Sequence, residues 1–328
     1  MSKRAKPLMF QAEMNSREID VSIVIVSWNA KAHLMDCLES LQTQGPKKEM
    51  EIIVVDNASS DGSPDAVRAL YQQVKVIETG SNLGFAKANN IGIRECNGKY
   101  VALLNSDVTI LDGCLNGLQD YMNSNPGVGL CAPRLLNRDM TVQYSCRNFP
   151  TIWRLFCGSL RLDKLPFLHR LFEGEEIKTF AYDRETEVDA VSGAFMFARR
   201  EVFEKVGLLD ERFFMYSEDV DWCKRLRDAG WKVAFFPEAE AIHYGGGSSS
   251  GESTRFYIEK ERAVFLYWEK HHSGLSQFIL SRILFLHHFV RIVTGGLLYL
   301  VKPSRRPSIL PVLNKNLAGI RLLVSGRI

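Results

Sequence analysis

Residues 21–29 read VSIVIVSWN, an uncharged and mostly β-branched run that turns polar only at Trp28-Asn29. A strand covered on both faces needs such a run, because neither row of its side chains meets water. Residues 51–55 (EIIVV) repeat the signal and end in DNASSDG (56–62), and shorter runs follow at 74–78 and 100–104. Helical patterns over residues 32–42 and about 86–95 separate these strands. Strands alternating with helices through residue 125 predict a parallel α/β sheet. In such sheets ligands collect at the carboxyl ends of strands, where Asn29, Asp56, Asn82 and the Asn105-Ser106-Asp107 triplet all fall.

Beyond residue 125 the pattern changes. Residues 145–185 mix Trp153, Phe156, Phe167 and Phe172 with Arg147, Arg154, Arg161, Lys164 and Arg170, the mark of an insert in the sheet. Residues 190–198 then read as one strand. Residues 219–229 read as a helix whose first turn is acidic and whose later turns carry Lys224, Arg225 and Arg227, in keeping with the helix dipole.

The chain has 328 residues, 46% of them hydrophobic and 24% charged, which is enough apolar material for a large core. Residues 1–19 carry Lys3, Arg4, Lys6 and Arg17 but no apolar block of signal-peptide length, so the expectation is a flexible leader before a cytoplasmic enzyme. The seven cysteines form no CxxC pair and are odd in number, which disfavours a zinc site or a disulfide framework and leaves reduced packing residues. The net charge of +3 hides an asymmetry: from Lys270 onward there are nine Lys or Arg and no Asp or Glu, so the tail stands at +9 and the rest of the chain at −6.

Three groups carry chemistry. Asn105 and Asp107 offer two oxygen-bearing side chains just past a buried strand, in reach of one hard cation. Glu218, Asp219 and Asp221 crowd a helix start, where a carboxylate can serve as general base toward a hydroxyl or simply cap the helix. His243 precedes a Gly245–Ser250 stretch able to close over a ligand and bring an imidazole to a metal. The pairs His271-His272 and His287-His288 are expected at a membrane or solvent boundary. No GxxxxGK[ST] loop occurs and no GxGxxG follows a strand, which argues against kinases and dinucleotide oxidoreductases.

Seven segments in order, VSIVIVSWN (21–29), VVDNASSDGS (54–63), SNLGFAKANNIGI (81–93), LLNSDV (103–108), VSGAFMFARREVF (191–203), LLDERFFMYSEDVDWCKRLRDAGW (208–231) and IHYGGGSSS (242–250), resemble the family 2 glycosyltransferases, and among them the rhamnosyltransferase-like bacterial enzymes. The resemblance covers residues 20–270. It implies a GT-A fold, a Rossmann-like and mostly parallel sheet flanked by helices. It also implies that Ser27, Trp28, Asn29 and Asp56 line a nucleoside pocket, and that Asn82 and Lys87 lie near the donor diphosphate, with Asn105 and Ser106 on the nucleotide sugar. Asp107 and His243 would hold Mg2+ or Mn2+, with Asn105 standing where the family usually has an aspartate. Asp219 or Glu218 would be the base of an inverting displacement, Asp219 being preferred.

Residues 271–328 predict a basic amphipathic helical region. Gln277, Ser281, His288 and Arg291 recur near helical spacing among apolar residues, and the longest stretch free of ionisable groups, residues 292–301, is shorter than the roughly 20 residues of a spanning helix. The expectation is a helix lying on an anionic membrane surface at the cytoplasmic face, with packing against the catalytic domain or a second subunit as the alternative.

Together these readings predict transfer of a sugar, L-rhamnose from dTDP-rhamnose by resemblance, from a dTDP- or UDP-sugar donor to a lipid-linked saccharide in cell-surface polysaccharide synthesis, with the aromatic-basic insert at residues 145–185 expected to contact the acceptor or the membrane. Galactofuranose, glucose or an N-acetylhexosamine are the alternative sugars, and a non-catalytic glycan-binding scaffold is the alternative class. Nucleic acid is not an expected partner; an oligomer is compatible with the sequence.

Overall fold

A computed structural model describes residues 19–44, 49–160, 162, 174–178, 180–245 and 253–325. The leader at residues 1–18, most of the insert between Arg161 and Phe172, and the closing segment at residues 246–250 lie outside the described residues.

The first half follows the predicted alternation: β1 (Val21–Ser27), α1 (Lys31–Gln44), β2 (Met50–Asp56), α2 (Ser63–Leu70), β3 (Lys75–Glu78), α3 (Phe85–Arg94) and β4 (Tyr100–Asn105). Then come β5 (Val108–Ile110), α4 (Cys114–Ser124), β6 (Val128–Leu136), β7 (Cys146–Arg147), α5 (Ile152–Ser159), β8 (Thr186–Glu187), β9 (Ala190–Val191), β10 (Phe195–Arg199), α6 (Arg200–Val206), α7 (Glu218–Asp228) and β11 (Lys232–His243). Helices α8 (Ser253–His271), α9 (Gly274–Val301) and α10 (Arg306–Ser325) complete the chain.

Among the described residues the main sheet runs β3-β2-β1-β4-β10-β6-β11-β5, with β8 beside β11. Pairs β1–β2, β1–β4, β2–β3 and β6–β11 are parallel, while β10 runs antiparallel between β4 and β6 and β5 runs antiparallel to β11. Both faces are apolar. Val24, Ile53, Val55, Val101 and Leu103 join one core with α3, and Ile23, Ile25, Val54, Ala102 and Leu104 join another with α1 and α4. Each fully buried Val, Ile or Leu of this kind contributes about 1.5–3 kcal/mol. Helix α3 lies so close that a Cβ on Gly92 would meet Val24 Cγ1 at 2.4 Å, so only glycine fits there.

The single strand expected over residues 190–198 is two. The chain turns at Ser192-Gly193, so Ala190–Val191 pairs with β7 in a small separate sheet while Phe195–Arg199 enters the main one. The break has a use: Gly193 N–H donates to Asp219 Oδ2 at 2.9 Å, which an unbroken ladder would prevent.

The seven cysteines are free and buried, as packing residues should be. One histidine of each pair departs from the expected boundary position. His271 Nε2 contacts buried Asp221 at 2.7 Å, and His288 is fully buried with Nδ1 3.1 Å from Asn316 of α10. The polar stripe of α9 therefore faces other helices in part, because Leu280, Leu284 and His288 form its inward face. Outward are Phe278, Phe285, Leu286, Phe289 and Leu297. By length and composition α9 is long and apolar enough to cross a membrane, with mean hydropathy 1.6 over its best window.

Candidate active site

Four strand ends build the floor of the site. Past β1 the chain turns through Asn29, at φ 50°, whose Oδ1 accepts from Ser60 N–H at 2.8 Å, tying this loop to the one after β2. Asp56 at the end of β2 takes Ser59 N–H on Oδ2 at 2.9 Å, while its buried Oδ1 has no partner. Ser27 Oγ, in register with Asp56, is also buried without a partner. Leaving such groups unmatched costs stability, about 1–3 kcal/mol each, so they are groups a polar ligand would satisfy.

Asn57 organises the next loop. Its Nδ2 donates to Asn82 Oδ1 at 2.9 Å and its Oδ1 accepts from Leu83 N–H at 2.8 Å. Gly84, at φ 83°, ends that loop; a Cβ there would sit 2.3 Å from Phe214 O. The approach brings the Phe214–Ser217 loop over the site.

Sheet register then assembles the metal candidates. The antiparallel pair β5–β11 sets His243 opposite Val108, and Tyr244 N–H donates to Asp107 O at 3.0 Å. His243 Nε2 thereby reaches 3.3 Å from Asp107 Oδ1 and 3.4 Å from Asn105 Nδ2. On the other side of the ring, Nδ1 is 2.6 Å from Gln143 Oε1. An amide oxygen only accepts, so Nδ1 carries a proton and donates it to Gln143, which leaves Nε2 as the ring nitrogen that faces Asp107.

This donor set fits a divalent cation: one carboxylate and one imidazole nitrogen whose tautomer is fixed from behind, as metal-binding histidines require. Asn105 presents nitrogen, so its amide must turn over before it can offer oxygen to a cation. Among the described residues no group of three or more His, Cys, Asp or Glu could hold a metal alone. A substrate diphosphate would have to complete the shell.

The carboxylate pair sits at the start of α7. Tyr216 and Ser217, at φ 72° and 62°, place two non-glycine residues in the left-handed region immediately before it, a strain characteristic of functional turns. Asp219 is held by Gly193 N–H on Oδ2 and by Val220 N–H on Oδ1 at 2.8 Å. Glu218 Oε2 is buried without a partner, and burial together with the Asp219 charge pushes its carboxyl well above the usual range. Asp221 has another task. Burial opposes its ionisation, yet His271 and Lys270 at the end of α8 and Arg225 hold it ionised and below the usual carboxylate range.

One cavity of about 360 Å³ is lined by Trp28, Asn82, Asn105, Ser106, Asp107, Glu218, Asp219 and His243. The predicted metal and base residues thus share a wall. Ser27, Asn29, Asp56 and Lys87 do not line the cavity: Ser27 and Asp56 are buried, and Asn29 and Lys87 are exposed. Sequence reasoning gave no role to Gln143, Asn57 or α8, which supplies Phe256, Lys260, Tyr267 and Trp268 to the wall, and it knew Arg147 only as part of the insert expected to contact the acceptor or the membrane. Trp28 packs edge-on against Phe256, with ring centroids 6.4 Å apart.

Comparison with known proteins bears on the fold and the family. The profile described as Glycosyl transferase family 2 matches residues 22–207. The chain is 29% identical over 268 residues to the N-acetylglucosaminyl-diphospho-decaprenol L-rhamnosyltransferase of Mycobacterium tuberculosis, covering 77% of this chain and 85% of that one. It is 27% identical over 293 residues to the dTDP-rhamnosyl transferase RfbF of Shigella flexneri, covering 85% and 89%. Among solved structures, GalNAc-T7 with UDP, GalNAc and Mn2+ superposes with a TM-score of 0.56 at 19% identity, over 78% of this chain and 48% of that chain. That likeness concerns the fold, which is GT-A.

Proposed function

The chain belongs to glycosyl transferase family 2, and on that premise we propose that it is an inverting, metal-dependent enzyme moving L-rhamnose from dTDP-rhamnose to a lipid-linked saccharide at the cytoplasmic face of a membrane. The observation that carries the reading is the single cavity lined by both the Asp107–His243 pair and the Glu218–Asp219 pair. The rhamnosyltransferases to which the chain is similar, one named for a diphospho-decaprenol acceptor and one for a dTDP-rhamnosyl donor, support the choice of substrates. Assembly of a cell-surface polysaccharide is the setting that such substrates suggest.

In this mechanism the donor base stacks near Trp28, and the unmatched Ser27 and Asp56 oxygens take its polar edge. Asn82 and Ser106 fix the sugar-diphosphate portion. Asp219 accepts the acceptor hydroxyl proton as that oxygen attacks the anomeric carbon, and the bond to the nucleoside diphosphate breaks on the opposite face. Two backbone donors orient the Asp219 carboxylate, so little reorganisation is needed when it takes the proton. Glu218, whose carboxyl is pushed well above the usual range by burial and by the Asp219 charge, adds less negative charge beside the acceptor than an ordinary carboxylate would. Mg2+ or Mn2+ held by Asp107 and His243 would neutralise charge developing on the leaving diphosphate.

The test is release of dTDP from dTDP-rhamnose coupled to transfer onto N-acetylglucosaminyl diphospho-polyprenol, with Mn2+ or Mg2+ supplied. Product is expected with the wild-type chain and not with Asp107→Ala. Transfer from a UDP-sugar alone would overturn the donor assignment. Absence of both turnover and thermal stabilisation by every nucleotide sugar would overturn the catalytic reading.

A further inference from the structure

A second cavity, of about 450 Å³, lies beside the first. Arg147, Glu175, Lys260 and Val264 line both, so the two adjoin at these side chains. Its far wall is made by α5 and α9, through Leu155, Leu284 and His287. Beyond that wall the outward surface is apolar and exposed, with Trp153 on α5, Leu160 just past its end, and Phe285 and Phe289 on α9.

The cavity is cationic where it meets the first. Arg147, Arg154, Lys178 and Lys260 face Glu175, Glu176 and Glu261. Glu176 is taken by Lys178 at 3.1 Å, and burial raises the Glu175 carboxyl above its usual value. Arg147 stands at the junction, where its charge acts on both Glu218 and Glu175, and its Nε is buried without a hydrogen-bond partner. A buried guanidinium nitrogen left unmatched beside the candidate base is a donor prepared for an anion.

The geometry points to this second cavity as the seat of the acceptor's diphosphate, bound at the junction by Arg147 and Lys260, with the lipid leaving across the apolar surface of α5 and α9. The assignment rests on the reading of the chain as a transferase acting on a lipid-linked saccharide. It gives the acceptor an order: its sugar hydroxyl at Asp219 in the first cavity, its diphosphate at the junction, and its hydrocarbon chain outward. A bidentate arginine at a diphosphate is a geometry the guanidinium fork suits, and the adjoining lysine adds a second point charge.

The experiment uses the full chain in detergent and compares N-acetylglucosaminyl diphospho-polyprenol with octyl N-acetylglucosaminide, which lacks the diphosphate. Arg147→Gln and Lys260→Gln are each expected to raise KM for the diphospho acceptor at least tenfold while KM for the donor and for the octyl glycoside stays within twofold. A rise in donor KM would assign Arg147 to the donor diphosphate and overturn the proposal, as would an unchanged acceptor KM in both variants. A parallel arm measures retention on phosphatidylcholine vesicles carrying undecaprenyl diphosphate, against vesicles carrying phosphatidylglycerol at matched charge. Retention on the former that drops in both variants supports the site even if no sugar is transferred, in which case the transferase reading alone fails. Equal retention on the two vesicle types would reduce the site to general anion attraction and overturn it. Lys260 is exposed, so its variant separates loss of binding from loss of folding.

Discussion

His243 Nε2 lies 3.3 Å from Asp107 Oδ1, brought there by strand pairing across 136 positions of sequence and held in that orientation by Gln143, which accepts from Nδ1 behind the ring. Gln143→Ala removes the acceptor that fixes the tautomer without touching either candidate ligand. Supporting partners of metal ligands are worth roughly 10- to 100-fold in metal affinity. The concentration of Mn2+ giving half-maximal transfer should rise by that order while activity at saturating Mn2+ largely returns. An unchanged metal requirement would remove the pair from the metal site.

Asn105 and Asp107 should separate under substitution. Asp107→Ala removes the carboxylate and is expected to lower kcat by roughly 100- to 1,000-fold, the cost of losing one charge-stabilising group. Asn105 contacts His243 through nitrogen at 3.4 Å, so Asn105→Ala should cost less than about tenfold, the scale of a weak hydrogen bond of about 1 kcal/mol. Equal losses in steady-state assays would make Asn105 a full ligand.

Glu218 and Asp219 should differ both in catalysis and in pH behaviour. Asp219→Asn is expected to lower kcat by roughly 100- to 10,000-fold as loss of a general base, and Glu218→Gln far less. The Glu218 carboxyl is raised by burial and by Asp219, so the native state holds its proton more tightly than the unfolded chain does. As pH rises above the ordinary value of 4.5, this group therefore removes stability until its own raised pKa is passed. Thermal midpoints of Glu218→Gln measured against pH should gain on the wild type over that interval. A constant difference between the two curves would contradict the assignment.

Asp221 shows the opposite sign. Donors from His271, Lys270 and Arg225 hold its pKa below the usual 3.8, so its stabilisation is present above that value and is lost as pH falls through the depressed one. It joins α7, which carries the base pair, to the end of α8, which carries Tyr267 and Trp268 to the cavity. Asp221→Asn leaves Lys270 and Arg225 without their shared buried anion and should cost about 3–5 kcal/mol, read by denaturant unfolding at neutral pH. A cost below 1 kcal/mol, the range of an exposed pair, would show that the network is not a structural lock.

Much of the site was legible because short-range signals carried it. The apolar runs ending at Ser27, Asp56 and Asn105 fixed both the strands and the edge where polar residues gather. Gln143 was not legible: it lies in an irregular segment with no periodicity, and only the β11 register brings His243 to it from 100 positions away. Arg147 looked like one basic residue of a mixed insert, since nothing local reveals that its Nε becomes buried between two cavities. His288 fell on an apparent polar stripe, and its burial depends on α10, where Gly319 leaves room for the imidazole ring against which a Cβ would sit at 2.5 Å.

The tail yields the last prediction. Helix α9 turns Phe278, Phe285, Leu286, Phe289, Leu297 and Leu300 outward, and the neighbouring Lys302, Arg305 and Arg321 are exposed with no acidic residue anywhere after Lys270. An apolar face beside a cluster of cations combines two membrane signals, burial of hydrocarbon and attraction to anionic headgroups, each cation contributing about 1 kcal/mol. Replacing Lys302, Arg305 and Arg321 together by Gln should therefore weaken partitioning onto phosphatidylglycerol vesicles by on the order of a hundredfold, and raised salt should mimic the loss. Phe285→Ser with Phe289→Ser should weaken binding at any salt concentration, because it removes the uncharged contribution. Flotation of the full chain with neutral and anionic vesicles reads both effects. Equal recovery of all variants with the vesicles would show that these faces do not meet the membrane and would leave the outward surface of α9 as a contact between protein chains.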